Sequence, residues 1–179
     1  MSQLVLEKDL LGSGEEDDVQ RLARARTITA LANSDAEDNR SVTRFLSGLD
    51  LVTGSDPVRL LRNSYLPNAE LSGAFLPAAD LYVSSLRGAD LNNAFLISAN
   101  LGGSILSDAD LEGARLMYAD LDHAELDGAD LRNADLTRAS MVGADLRRAD
   151  LQGATVTREQ LDACESLEGA TMPDGSKRP

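Results

Sequence analysis

His123 and Cys164 are the only histidine and the only cysteine of the chain, so they bound the nucleophilic and acid–base chemistry available near neutral pH. Neither is placed for catalysis. His123 falls on an outward position of a regular surface, where a solvated side chain is expected. Cys164 falls in a short helix, remote in sequence from His123, and reads as a small hydrophobe. Gly12-Ser13-Gly14 and Gly102-Gly103 are too short and wrongly placed for phosphate loops, and there is no zinc pattern or nucleophile elbow. The expectation is a protein that is not an enzyme, with no catalytic residue, no metal ligand and no cofactor.

The remaining chemistry is electrostatic. Thirty Asp and Glu against 17 Lys and Arg give a formal charge of −13 and a pI of about 4.4. That excludes direct nucleic-acid binding, which needs clustered Lys and Arg, and favours solubility, a basic partner or cations. The carboxylates recur at a fixed step of 20: Glu70, Asp90, Asp110, Asp130 and Asp150. No segment has the dense alternating carboxylates of a calcium loop. Like charges about 5 Å apart repel by roughly 0.8 kcal/mol in water, so this acidic stripe either serves a ligand or has a local structural use. Asp oxygens that accept backbone donors at turns are the simpler reading. The single cysteine rules out an internal disulfide framework and suits a reducing compartment. No apolar run approaches the roughly 20 residues of a membrane span, and the first residues lack the order of a signal peptide, so the expected location is cytoplasmic.

A step of 20 needs an element that returns to the same face every 20 residues. From Leu66 to Val156 every fifth residue is Leu, apart from Met141 and Val156, which makes nineteen centres without an insertion. Two residues before each centre stands Ala, replaced only by Ser64, Ser84 and Ser104. A period of five suits neither a helix nor an alternating strand. It suits a coil with flat sides, one pentapeptide to a side and four sides to a turn. Leu fills the axis, Ala tolerates the crowded inner corner, and the other three positions face water. Nineteen units make a little under five coils, roughly 23 Å long at the usual strand spacing.

Stepping by 20 sorts the residue before each centre into four stripes. Face A carries Tyr65, Ser85, Ile105, Glu125 and Asp145. Face B carries the acidic stripe, and face D carries Asp80, Asn100, Asp120 and Ser140. Face C carries Phe75, Phe95, Arg115, Asp135 and Thr155, with Ile97 and Met117 after its centres and Tyr82 just round the corner. Outward apolar residues in a contiguous patch mark a contact surface. Two occupants stay open: the N-terminal helices of the same chain, through Phe45, Leu46 and Leu49, or a partner or second copy.

Residues 1–60 do not repeat. Helices are expected at about Asp17–Ala32 and Asp38–Ser47, with a turn at Asn33-Ser34-Asp35 and Gly48 at a C-terminal cap. At the other end Thr157 and Gln160 sit at capping-box spacing, so a short helix opens there. Leu161, Cys164 and Leu167 are expected to fold over the last coil, and Gly169-Ala170-Thr171-Met172 is one more unit shifted by one residue. An open coil end is an exposed strand edge, and helices at both ends would close it.

The unbroken run, with units such as Ala89-Asp90-Leu91-Asn92-Asn93, resembles the pentapeptide-repeat family. The segments Ala23–Leu31 and Arg44-Phe45-Leu46 resemble the helical segment before the repeats in cyanobacterial and actinobacterial members, and residues 154–175 resemble their usual ending. The resemblance implies an all-β solenoid: a right-handed quadrilateral β-helix with an N-terminal helical segment and a C-terminal helical cap, divided at about 1–60, 61–157 and 158–179. It implies a bacterial, non-catalytic protein–protein interaction module, monomer or dimer, whose partner the sequence does not identify. Many relatives carry membrane-spanning helices upstream, and this chain shows none. Other members resemble B-DNA and regulate DNA gyrase, giving quinolone resistance. The acidity here fits that alternative, whereas the centres, nearly all Leu and with no Phe, the capped end and the N-terminal helices depart from it.

Overall fold

The computed structural model describes residues 27–31, 35–48 and 61–178. Residues 27–31 are helical, and α1 spans Ala36–Gly48. Asp35 opens α1 as its cap rather than forming a free turn, since its Oδ1 accepts the Glu37 and Asp38 N–H groups, both at 3.0 Å. Glu37 and Asp38 complement the helix dipole in the first turn.

From residue 61 the chain winds into coils of 20. Each face forms its own ladder of parallel bridges, as in Glu70–Asp90–Asp110–Asp130–Asp150 on face B and Phe75–Phe95–Arg115–Asp135–Thr155 on face C. The hydrogen bonding repeats with the same step. Each centre N–H donates to the coil ahead, as Leu91 N to Asp110 O at 2.7 Å, and each residue before a centre donates to the coil behind, as Asp90 N to Ala69 O at 3.0 Å. A turn closes every pentapeptide, as Ala94 N to Leu91 O at 3.0 Å. The backbone is thus satisfied coil by coil, which a buried β structure requires.

Small inner corners and leucine centres, unbranched at Cβ, explain the core. The centres from Leu61 to Leu151 and the Ala residues two before them form one cluster, nearly all of it fully buried. Each buried Leu contributes about 1.5–3 kcal/mol of transfer free energy, which makes the axis the main source of stability. The three serines at the Ala position stack on face A. Ser84 Oγ donates to Leu61 O at 2.8 Å and Ser104 Oγ to Leu101 O at 2.7 Å, both turn carbonyls, whereas the buried Ser64 Oγ makes no hydrogen bond among the described residues.

Both ends carry added elements. α2 spans Arg158–Asp162, with the full capping box between Thr157 and Gln160, and it buries Leu161. Gln160 Nε2 also donates to Leu136 O and Ala139 O, tying α2 to the coil beneath. The inserted turn changes the step from 20 to 21: Asp145 pairs with Ser166 and Asp150 with Thr171. Thr171 then pairs antiparallel with Lys177, so a final hairpin lies along the last rung of face B. At the first coil, Asn39 Nδ2 of α1 donates to Glu70 O at 2.8 Å and Thr43 Oγ1 accepts the Phe75 N–H at 3.1 Å. Among the described residues no coil lies behind these two backbone groups, and α1 supplies their partners. Phe45, Leu46 and Leu49, expected to face the Phe75–Phe95 patch, have side chains outside the described residues.

Candidate interaction face

The second residue after each centre sits at the corner and adopts the left-handed conformation throughout, with φ between 53° and 74° from Asn63 to Gly153. Three faces meet this demand with Gly, Asn or Asp at most positions. Face B runs Gly73, Asn93, Gly113, Asn133, Gly153, and face A runs Asn68, Gly88, Asp108, Gly128, Arg148. Face D runs Asn63, Val83, Gly103, His123, Gly143, with glycine at every second position from Gly103. The alternation is steric. Each corner side chain lies over the next coil, so a Cβ added at Gly113 meets Asn93 Oδ1 at 2.7 Å, and one at Gly143 meets His123 Nδ1 at 2.5 Å. His123 is therefore packed on a glycine on an outward face.

Face C breaks the rule. Its corner column is Ala78, Ser98, Tyr118 and Arg138, with φ of 53°, 58°, 61° and 60° and no Gly, Asn or Asp among them. A side chain of this kind in the left-handed region costs about 1–2 kcal/mol, so face C holds side chains where its neighbours relieve strain.

Those side chains build a surface. The Phe75 and Phe95 rings stand 5.8 Å apart, tilted by 50°, and both are half-buried. Arg115 lays its guanidinium 4.7 Å over the Phe95 ring. Arg138 lies 5.6 Å over Tyr118 and donates to the Tyr118 hydroxyl at 3.3 Å. Pro77, Ile97 and Met117 are half-buried on the same face. Tyr82, grouped with this patch in the sequence, belongs to face D, where Arg62 covers its ring at 4.3 Å and bridges to Asp80 at 3.0 Å. Arg115, Arg138 and Tyr118 are absent from the sequence-based patch, although reading the corner column in steps of 20 lines up Tyr118 and Arg138.

The acidic stripe is built differently. Asp90, Asp110, Asp130 and Asp150 each accept the N–H two residues on, at 2.9–3.0 Å. Asp120, Asp135 and Asp145 do the same on the other faces. A short carboxylate suits this turn, whereas Glu70 makes no such bond among the described residues. Arg132 then joins Asp130 and Glu112, and its hydrogen bonds hold the Asp130 carboxyl below the usual range. No group of carboxylates, His and Cys able to hold a metal occurs among the described residues.

A groove of about 400 Å³ follows the corner between faces D and A, lined by Arg87, His123, Asp127, Asp145, Arg147 and Glu165 among others. Its charges pair within the wall, Arg148 with Asp127 and Arg147 with Asp145, which lowers both carboxyl pKa values. Cys164 is not in its lining, and burial pushes that thiol up to about 11. Among the described residues no helix is long and apolar enough to cross a membrane.

The family model for pentapeptide repeats matches in 8 copies, over residues 84–121, 96–133 and 114–153. No curated protein matches the chain. Among solved structures, a pentapeptide-repeat protein of Nostoc PCC 7120, alr5209, is 36% identical, covering 45% of this chain and 66% of its own, with a TM-score of 0.44. HetL of Nostoc sp. strain PCC 7120, involved in heterocyst differentiation regulation, is 34% identical, covering 66% of this chain and 59% of its own, with a TM-score of 0.30. QnrB1, a plasmid-mediated fluoroquinolone resistance protein, is 16% identical over 64% and 65%, with a TM-score of 0.41. The chain thus spans slightly less than two thirds of the length of each.

Proposed function

Because the chain belongs to the pentapeptide-repeat family, we propose that it is a non-catalytic, right-handed β-helical rod that engages a protein partner through face C. One observation carries the reading. Face C holds a contiguous apolar and aromatic surface of Phe75, Phe95, Ile97 and Met117, and keeps side chains at four strained corners where the other faces largely use Gly, Asn or Asp. Repeat solenoids bind through such flat surfaces, and the Leu and Ala positions are committed to the interior. The partner is a protein rather than a nucleic acid, given a formal charge of −13, and the compartment is cytoplasmic. Helices over both coil ends and the divisions at 1–60, 61–157 and 158–179 belong to the same reading. The test is affinity capture from the native host with the wild-type chain, F75S/F95S and D90N/D110N. A partner kept by D90N/D110N and lost by F75S/F95S supports face C, and one kept by F75S/F95S overturns it.

The acidity supports a second reading, regulation of DNA gyrase by DNA mimicry. The face B aspartates weaken it, since each gives one oxygen to its own backbone. A supercoiling assay decides: no inhibition or protection at micromolar protein removes this alternative.

A further inference from the structure

We propose that face C takes an acidic segment of another polypeptide, in which carboxylates stand beside aromatic or aliphatic side chains, and that Arg115 and Arg138 read those carboxylates. This rests on the reading that face C is the interaction surface, and names the chemistry of what it binds.

The arginines of the described coils divide into two groups. Arg62, Arg87, Arg132, Arg147 and Arg148 each have a carboxylate at 2.5–3.4 Å. Among the described residues Arg115 and Arg138 have none within ion-pair distance. In a chain with 30 acids and 17 bases, that is not for lack of carboxylates. Asp135 is the next rung after Arg115 on the same ladder and accepts the Thr137 N–H at 3.0 Å, as Asp130 and Asp145 accept theirs while also holding an arginine, yet Arg115 does not pair with it. Arg115 turns instead over Phe95, and Arg138 over Tyr118.

A guanidinium stacked on a ring uses its face. Its N–H donors lie in its plane, at the rim of the stack, where a carboxylate takes two at once. The stacking also fixes the group, so little freedom is lost on binding. An apolar surface beside the pair lowers the local dielectric and strengthens it. The elements line up along one face: Phe75, then Phe95 and Ile97, then Arg115 and Met117 on one coil, with Arg138 on the next. A basic segment would meet two unneutralised arginines here, and a nucleic acid would meet the charge of the whole rod.

The test is selection of a random peptide library, roughly twelve residues long, on the full chain, on R115E/R138E and on F75S/F95S. Thermal melting first establishes that each is folded. The wild-type chain is expected to enrich peptides with Asp or Glu next to aromatic or aliphatic residues, and R115E/R138E to shift the enrichment to neutral or basic ones. A synthetic peptide of the enriched sequence is expected to bind R115Q/R138Q about tenfold more weakly, and the wild-type chain more weakly as salt rises. R115K/R138K, which keeps the charge without the fork, should fall between. Neutral or basic winners, no enrichment, or an unchanged selection on R115E/R138E overturns the proposal. If F75S/F95S abolishes selection while R115E/R138E does not alter it, the face stands and its acidic partner falls. If neither variant alters it, the face falls as well. A dimer in light scattering that dissociates in F75S/F95S makes a second copy the occupant and likewise overturns the acidic segment.

Discussion

Faces B and C share a corner, the same inner wall and the same coils, and differ in how their outward groups are paired. On face B the aspartates bond their own turns, Arg132 joins Asp130 and Glu112, and Gly alternates with Asn at the corner. On face C rings stack along the rod, Arg115 and Arg138 lie on rings without a carboxylate, and the corner column is Ala, Ser, Tyr, Arg. A polar surface already satisfied within the chain gains little from a partner. A surface with half-buried aromatics and stacked cations gains apolar burial and charge-assisted hydrogen bonds together. A dense charge stripe is thus a weaker pointer to binding than a short apolar stretch with uncommitted donors.

The comparison holds only if the faces differ outside and not inside. L96A on face C and L111A on face B should each lose about 2–5 kcal/mol in denaturant unfolding, within about 1 kcal/mol of each other. A large gap would place the difference in the core. The corners come next. G113A should lose about 1–3 kcal/mol, since its Cβ meets Asn93 and its φ is +65°. A78G on face C should shift stability by under about 1 kcal/mol, because relieved strain offsets added unfolded-state entropy. Equal losses would end the corner argument.

The acid limb separates the faces by charge. Asp130's folded pKa is lowered by its hydrogen bonds from Arg132, so its contribution is present above the unfolded value near 4 and is lost as pH falls through the lower folded value. R132Q should lower the melting temperature near neutral pH and flatten its fall in scans below about pH 5, because the folded carboxyl then loses the bonds that lowered its pKa. R115Q should leave that limb in place. The smallest effect is expected for R115A/R138A, whose stability should stay within about 0.5 kcal/mol of wild type, as for groups that serve binding rather than folding.

The coil was legible in the sequence because one steric demand acts at every fifth residue. The axis takes Leu, with Met141 its buried substitute, and the inner corner takes Ala or Ser, so Leu66, Ala69 and Leu71 announce their places. The one-residue shift after Thr157 was legible too, from the capping box and the displaced Gly-Ala-Thr-Met. The contacts of α1 were not. Asn39 and Thr43 are polar positions beside the apolar Val42, and their burial follows from their bonds to Glu70 O and the Phe75 N–H of the first coil. The patch was read from Phe75, Phe95, Ile97, Met117 and Tyr82. Arg115 and Arg138 were missed because a side chain's choice between a ring and a carboxylate is set by packing across coils rather than by its position in the repeat.

Photo-crosslinking tests the central claim most directly. A benzophenone amino acid placed at Ile97 on face C, and separately at Asn92 on face B, probes equivalent positions of the same coil in the native host. The account predicts a defined protein adduct from position 97 that disappears when F75S/F95S is added, and none from position 92. Adducts from position 92 alone, or from 97 regardless of the phenylalanines, would contradict it.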